Sequence, residues 1–150
     1  CLVLPDTFLP AGVVPAYRKI AGIFLTALES LGLTPQLRGP DGRPDRGGVC
    51  FASASAYEIA VGGRKILGSA QVRRNGVVLQ HGSLLLDVDY ERHARCMKGR
   101  RTISAAYLAA KMAGLFQLLF PFEISILIER IVAVYREVFD STIIDYSHKE

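Results

Sequence analysis

Two side chains in this sequence carry types suited to nucleophilic chemistry, and they lie 15 residues apart: Cys50 and Lys65. A thiolate is the nucleophile, and the acidity of a thiol rises beside a cation. Cys50 stands just behind the Gly47–Gly48 pair, at the start of a predicted strand. Lys65 falls on the next long predicted strand, which would hold its ammonium rigidly. A lysine on the inner face of a central strand is costly unless it meets an anion or a polarised carbonyl. The plainer readings are a buried inert cysteine and a lysine that snorkels to the surface. His81 has the type of a general base, or of a core histidine bonded to backbone, which the expected strand register favours. His93 and His148 fall on helical and tail segments. Cys1 and Cys96 have no polar constellation nearby and read as packing residues. Glu58, Asp87 and Asp89 read as solvated carboxylates at strand ends, although each has the chemistry to bind a cation. The three cysteines share no metal-ligand spacing, and no P-loop, GxGxxG, HExxH or GxSxG motif is present.

The elements that must position these groups begin with the turns. Gly62-Gly63 and Asn75-Gly76 are two-residue hairpin signals, so residues 57–61, 64–74 and 77–88 read as a three-stranded antiparallel meander. With Asn75-Gly76 as the loop, Arg74 pairs with Val77, Gln71 with Gln80, Ser69 with Gly82 and Lys65 with Leu86. Side-chain alternation then gives one face Lys65, Leu67, Ser69, Gln71, Gln80, Gly82, Leu84 and Leu86. That face mixes apolar surface with a few polar groups around a bare glycine, as a small-ligand floor requires. The other face carries Ile66, Gly68, Ala70, Val72, Leu79, His81, Ser83 and Leu85 and reads as core. A bulge at Gly68 or Gly82 would move His81 or Lys65 across.

Before the meander, residues 1–14, broken by Pro5 and Pro10, read as loop. Residues 15–31 read as an amphipathic helix with Ile20, Ile23, Phe24, Ala27, Leu28 and Leu31 on one stripe, Pro15 in its first turn and Gly32 past its end. Residues 33–37 read as a short strand, and 38–48 as a Gly/Pro-rich loop, either a connector or a flap that places Cys50. After the meander, Asp89 caps a helix through Met97, Lys98-Gly-Arg-Arg forms a turn, and Thr102 or Ser104 caps a helix over 105–119. A last helix over 122–139 has Ile124, Leu127, Ile128, Ile131, Val132, Tyr135, Val138 and Phe139 as its stripe. Residues 140–150 read as frayed.

Composition bounds the partners. A chain of 150 residues that is 50% hydrophobic can bury a core of its own as one domain. The net charge of +4 is scattered, without the basic stripe and aromatic partners of a nucleic-acid binder. It suits an acidic protein partner. The most apolar window, 112–128, carries Pro121 and Glu123 and is short for a membrane span, so no membrane association is expected. An odd cysteine count argues for a reducing, cytoplasmic setting. The chain opens as if already inside a domain, so a partial domain is expected.

Val49-Cys50-Phe51, Tyr57-Glu58-Ile59, the run Gly63-Arg64-Lys65-Ile66-Leu67-Gly68-Ser69-Ala70-Gln71, Arg73 and Leu79-Gln80-His81-Gly82-Ser83 resemble the lipoate–protein ligase and octanoyltransferase catalytic domain. The likeness is greatest to its Gram-positive-type octanoyl-carrier-protein:protein N-octanoyltransferases. Val14-Pro-Ala-Tyr-Arg and Leu31-Gly-Leu fit the same pattern. The resemblance covers residues 13–92 and implies an α+β fold of the biotin/lipoate ligase type, a largely antiparallel sheet covered by helices. It implies that Cys50 becomes an acyl-thioester with octanoate and that Lys65 lowers the pKa of that thiol. Gly68, Ser69, Ala70, Gln71, His81 and Gly82 would bind substrate. The implied donor is octanoyl-acyl carrier protein, and the implied acceptor is an apo lipoyl domain, foremost the glycine cleavage H protein. No cofactor is implied; ATP enters only if the chain is an ATP-using lipoate–protein ligase of the same fold, with Cys50 incidental. The family's Arg-Arg-x-x-Gly-Gly stretch is absent from residues 1–12, which leaves a non-catalytic binding module of lipoyl domains or carrier protein as a third reading.

Overall fold

The structure is a computed structural model that describes residues 1–39, 57–97 and 103–140. Cys50, most of the 38–48 loop, the Lys98–Arg101 turn and the tail beyond Asp140 lie outside the described residues. Two tight turns set the architecture. Gly62 and Gly63 have φ of +57° and +75°, and Asn75 and Gly76 have +52° and +74°. Positive φ at both central residues gives the hairpin turn whose twist matches the flanking strands. They join β3 (Ile59–Val61) to β4 (Arg64–Arg74) and β4 to β5 (Val77–Leu84). The meander is flanked by β1 (Leu2–Pro5) on β5 and β2 (Pro35–Leu37) on β3, giving a five-stranded antiparallel sheet in the order β1-β5-β4-β3-β2. The β4–β5 register matches the expected one from Arg74↔Val77 to Leu67↔Leu84.

Residues 1–14, which the two prolines suggest are loop, are not all loop. Leu2–Pro5 pairs with Val77–Gln80, a 3-10 turn spans Asp6–Phe8, and α1 (Val13–Glu29) starts within the range. Pro5 is tolerated because β1 is an edge strand. Helix α1 buries Ala16, Tyr17, Ile20, Ala21, Ile23, Ala27 and Leu28. With α4 (Ile124–Phe139) it covers one sheet face: Ile20, Ile23, Val78 and Phe139 form one cluster, with Ile131, Val134 and Tyr135 packed against it. The α4 stripe is narrower than its periodicity suggests. Ile124, Ile128 and Val138 are exposed, and Val134 packs in place of Val138.

The opposite sheet face corrects the expectation of a core. Ile66 is buried, but Ala70, Val72, Leu79, His81 and Ser83 are exposed. Val3, Leu79 and Val72 pair in a row across β1, β5 and β4 with 59%, 36% and 56% of their surface open. The helices that would have covered this face lie elsewhere. Helices α2 (Tyr90–Cys96) and α3 (Ala105–Lys111) pack beyond the end of β5 around Val88, Leu108 and Met112. Asp89 caps α2, accepting from Arg92 N at 2.9 Å, and Ser104 caps α3, accepting from Tyr107 N at 3.1 Å.

Strand β5 ends at Leu84, not Val88, and α3 ends at Lys111, not at residue 119. Both differences have one cause. The segment after α3 runs alongside the chain leaving β5: Leu115 N and Phe116 N donate to Leu85 O and Leu86 O, each at 2.9 Å. Gly114 permits that approach, because a Cβ there would lie 2.7 Å from Leu86 O and from the Asp87 Cα. No helix among the described residues is long and apolar enough to cross a membrane. Since backbone lies on both sides of this contact, Gly114→Ala is expected to lower unfolding free energy by about 1–3 kcal/mol, read by urea denaturation. An unchanged midpoint would show that the crossing is not tight.

Candidate active site

Lys65 is 3% exposed, and its ammonium Nζ lies 2.5 Å from Glu58 Oε1, itself buried. The expectation of a solvated Glu58 is therefore wrong. The reason is a break in the β3–β4 register: Ile59 pairs with Leu67 but Ala60 pairs with Lys65, so one step of β3 faces two steps of β4. Such a bulge reverses the sense of alternation. Lys65 shares a face with Ala60 and Glu58, opposite to Ile59 and Leu67. Simple alternation put Lys65 on the Leu67 face; the bulge that moves it is at Ile66, not at Gly68 or Gly82. Nor does Lys65 pair with Leu86. Met112 takes that place through a parallel bridge, and Ala113 N donates to Lys65 O at 3.0 Å. Asp87 and Asp89 are exposed and accept backbone N–H groups of Val88 and Arg92. Among the described residues no cluster of three or more His, Cys, Asp or Glu could hold a metal.

On the covered face, β4 and β5 present a polar row. Tyr17 of α1 donates to Ser69 O at 2.7 Å, and its hydroxyl lies 2.5 Å from Ser69 Oγ. Gln80 Nε2 donates to Ser69 Oγ at 3.5 Å, Gln71 Nε2 to Gln80 Oε1 at 2.8 Å, and Arg73 Nε to Gln71 Oε1 at 3.3 Å. Arg73, Gln71 and Gln80 donate in turn toward Ser69, which Tyr17 meets from the helix side, so this partly buried row is satisfied. Burial raises the Tyr17 pKa above its ordinary 10.0, its hydrogen bonds with Ser69 oppose the rise, and the Glu58 carboxylate adds to it.

Beside this row a cavity of about 630 Å³ lies between sheet and helices. Leu67, Ser69, Gln80, Gly82 and Leu84 floor it, Ile20, Ile23 and Phe24 come from α1, and Ile131, Val132 and Tyr135 from α4. Neither Lys65 nor Glu58 is among its lining residues. The expected substrate-binding residues divide between two surfaces. Ser69 and Gly82 meet at the cavity, with Gln71 in the adjoining polar row. Gly68, Ala70 and His81 alternate with them toward the open face, where His81 is exposed and borders the cavity; it is not a core histidine. Cys1 and Cys96 are also exposed, not packing residues. Sequence reasoning missed Glu58 and Tyr17 as members of the site. The available signal was Tyr57-Glu58 placed immediately before the Gly62-Gly63 hairpin that faces Lys65.

Tyr17 yields a pH prediction. A tyrosine whose folded pKa exceeds 10.0 gives its full share of stability below pH 10.0 and loses it as pH rises through the folded value. Tyr17→Phe should cost about 1 kcal/mol below that pH through the lost hydrogen bond. The wild-type advantage should shrink above it, read by urea unfolding across pH. A constant difference at every pH would contradict the burial of the hydroxyl.

Residues 1–136 match the lipoyl protein ligase A/B catalytic domain. The chain is 44% identical over 116 residues to octanoyltransferase LipM of Symbiobacterium thermophilum, covering 73% of this chain and 42% of that protein. It is 47% identical over 90 residues to octanoyltransferase LipM of Geobacillus kaustophilus, covering 55% and 32%. The chain thus spans about two fifths or less of the length of these relatives. Among solved structures, it superposes on lipoate-protein ligase A bound with ATP with a TM-score of 0.65 at 16% identity, over 86% of this chain and 47% of that one. It superposes on Ta0514 of T. acidophilum, a lipoate protein ligase homologue, at 0.60 and 18%, over 87% and 47%. At such identities the likeness establishes the fold, an α+β antiparallel sheet with helices. With 136 of its residues matched, the chain belongs to the lipoyl protein ligase A/B catalytic domain family.

Proposed function

We propose that this chain is the catalytic portion of an octanoyltransferase of lipoate biosynthesis. The carrying observation is the buried Lys65 ammonium on the Lys-Ile-Leu-Gly-Ser-Ala-Gln strand, in a chain 44% identical to an octanoyltransferase over 116 residues. In this reading Cys50 is the nucleophile. Its thiolate attacks the thioester of octanoyl-acyl carrier protein, a carbon–sulfur bond to Cys50 forms, and the carrier leaves as its thiolate. A lysine amine of an apo lipoyl domain then takes the octanoyl group as an amide; the amine proton passes to solvent and Cys50 leaves as thiolate. Splitting the transfer in two lowers each barrier, and exchange between thioesters requires no nucleotide. Lys65 supplies positive charge for the thiolate or for the developing oxyanion. A lipoyl domain as acceptor is supported by a fold neighbour described as part of an archaeal lipoylation system with its E2 lipoyl domain; the glycine cleavage H protein is the acceptor we favour.

The cavity over Leu67 and Leu84 supplies apolar surface for the acyl tail, at about 0.8 kcal/mol for each methylene it removes from water.

Intact-mass measurement after incubation with octanoyl carrier protein tests the reading. An octanoyl adduct is expected that disappears in Cys50→Ala and persists in Cys96→Ala; transfer that needs ATP and ignores Cys50→Ala would replace it with a ligase. Leu84→Trp, which fills the cavity, is expected to slow octanoyl adduct formation about tenfold while sparing acetyl transfer. Equal effects on both acyl groups would remove the tail from this cavity.

A further inference from the structure

The backbone around Glu58 is shaped to place a charge where a strand end ordinarily meets water. Tyr57, just before it, has φ of +68°, a conformation uncommon for a residue with a side chain and of a kind that gathers at functional sites. The chain is pinned there by two backbone hydrogen bonds to β2's extension, Arg38 N to Glu58 O at 2.8 Å and Tyr57 N to Arg38 O at 2.9 Å. The register break at Ile59/Ala60 then turns Glu58 and Lys65 to one face. Both charges are withdrawn from water, although a buried ion pair is seldom the cheapest way to stabilise a fold. The cost is more readily understood if the charge has a use.

We infer that Glu58 is a positioning residue: its carboxylate fixes the Lys65 ammonium in one place, so that the pair presents the cation in one orientation. The step the cation serves is taken from the octanoyl-transfer reading; the hold of Glu58 on Lys65 is independent of it. From β3 the group on Lys65 is Glu58 itself. The Met112–Ala113 segment brings a thioether side chain and a backbone N–H that is used by Lys65 O. Helix α1 brings Tyr17, whose hydroxyl feels the Glu58 charge, and Arg18, which lies over the Tyr57 ring at 5.3 Å. Arg64 precedes Lys65 on β4, and Arg38 donates to Gly63 O at the hairpin. Arg64 and Arg38 are half-buried, and Glu58 is the carboxylate in the pair.

The test uses the protein labelled with 13C-lysine. The order of the Lys65 Cε methylene, read by 13C relaxation, is compared in wild type, Glu58→Gln and Glu58→Asp, alongside the rate of octanoyl adduct formation. In Glu58→Gln the Lys65 methylene should become mobile and adduct formation should slow about tenfold. Glu58→Asp should restore most of both. A Lys65 order unchanged in Glu58→Gln overturns the inference whatever the adduct does. A lost order with an unchanged rate overturns the positioning role. A lost order in a protein whose wild type forms no octanoyl adduct sinks the transfer reading and leaves the hold of Glu58 on Lys65 standing. Should Glu58→Gln fail to fold, Glu58→Asp carries the comparison: a partial loss of order supports the inference and none overturns it.

Discussion

The arrangement of this domain depends on keeping one lysine–glutamate pair out of water. Several features that look unrelated converge on that pair. The Gly62-Gly63 turn brings β3 back along β4, the bulge opposite Ile59/Ala60 turns Lys65 toward Glu58, and the extension of β2 fixes the backbone of Glu58. On the remaining side β5 departs, and Met112 and Ala113 replace it beside Lys65. Desolvating two ions is offset only when geometry and hydrogen bonding are good, so the surrounding backbone must be held tightly. The irregularities of the fold are concentrated where that holding is required.

The sheet separates two environments. One face is closed by α1 and α4, with Tyr17, Ser69, Gln80, Gln71 and Arg73 linked in a row whose members each find a partner, beside a largely apolar cavity. Buried polar groups are tolerable here because each is satisfied. The other face, from Ala70 outward, presents Val72, Leu79 and Val3 to solvent. The chain belongs to the lipoyl protein ligase A/B catalytic domain family and spans about two fifths of the length of the curated relative it matches at 44% identity.

The turns, the first helix and the caps follow from local signals. Asn75-Gly76 and Gly62-Gly63 each demand positive φ at two successive residues, and that demand fixed both hairpins and the β4–β5 pairing from Arg74↔Val77 to Leu67↔Leu84. Helix α1 was legible from its stripe, and the caps at Asp89 and Ser104 from their side chains. These features depend on residues a few positions apart, and so does the Lys65 strand itself.

What tertiary structure alone decided was facing and burial. Residues 2–5 became a strand because β5 offered an edge, and α3 stopped at Lys111 because Gly114 lets the chain cross against Leu86 and Asp87. Glu58 became a buried partner of Lys65 because of a one-residue register break that no period-2 pattern announces. The sequence by itself determined the turns, the strand carrying the lysine and the family pattern around it, since backbone dihedral preferences are local. Which face of that strand meets helix, cavity or water is set by what packs over it from distant parts of the chain, and a single bulge is enough to reverse the answer.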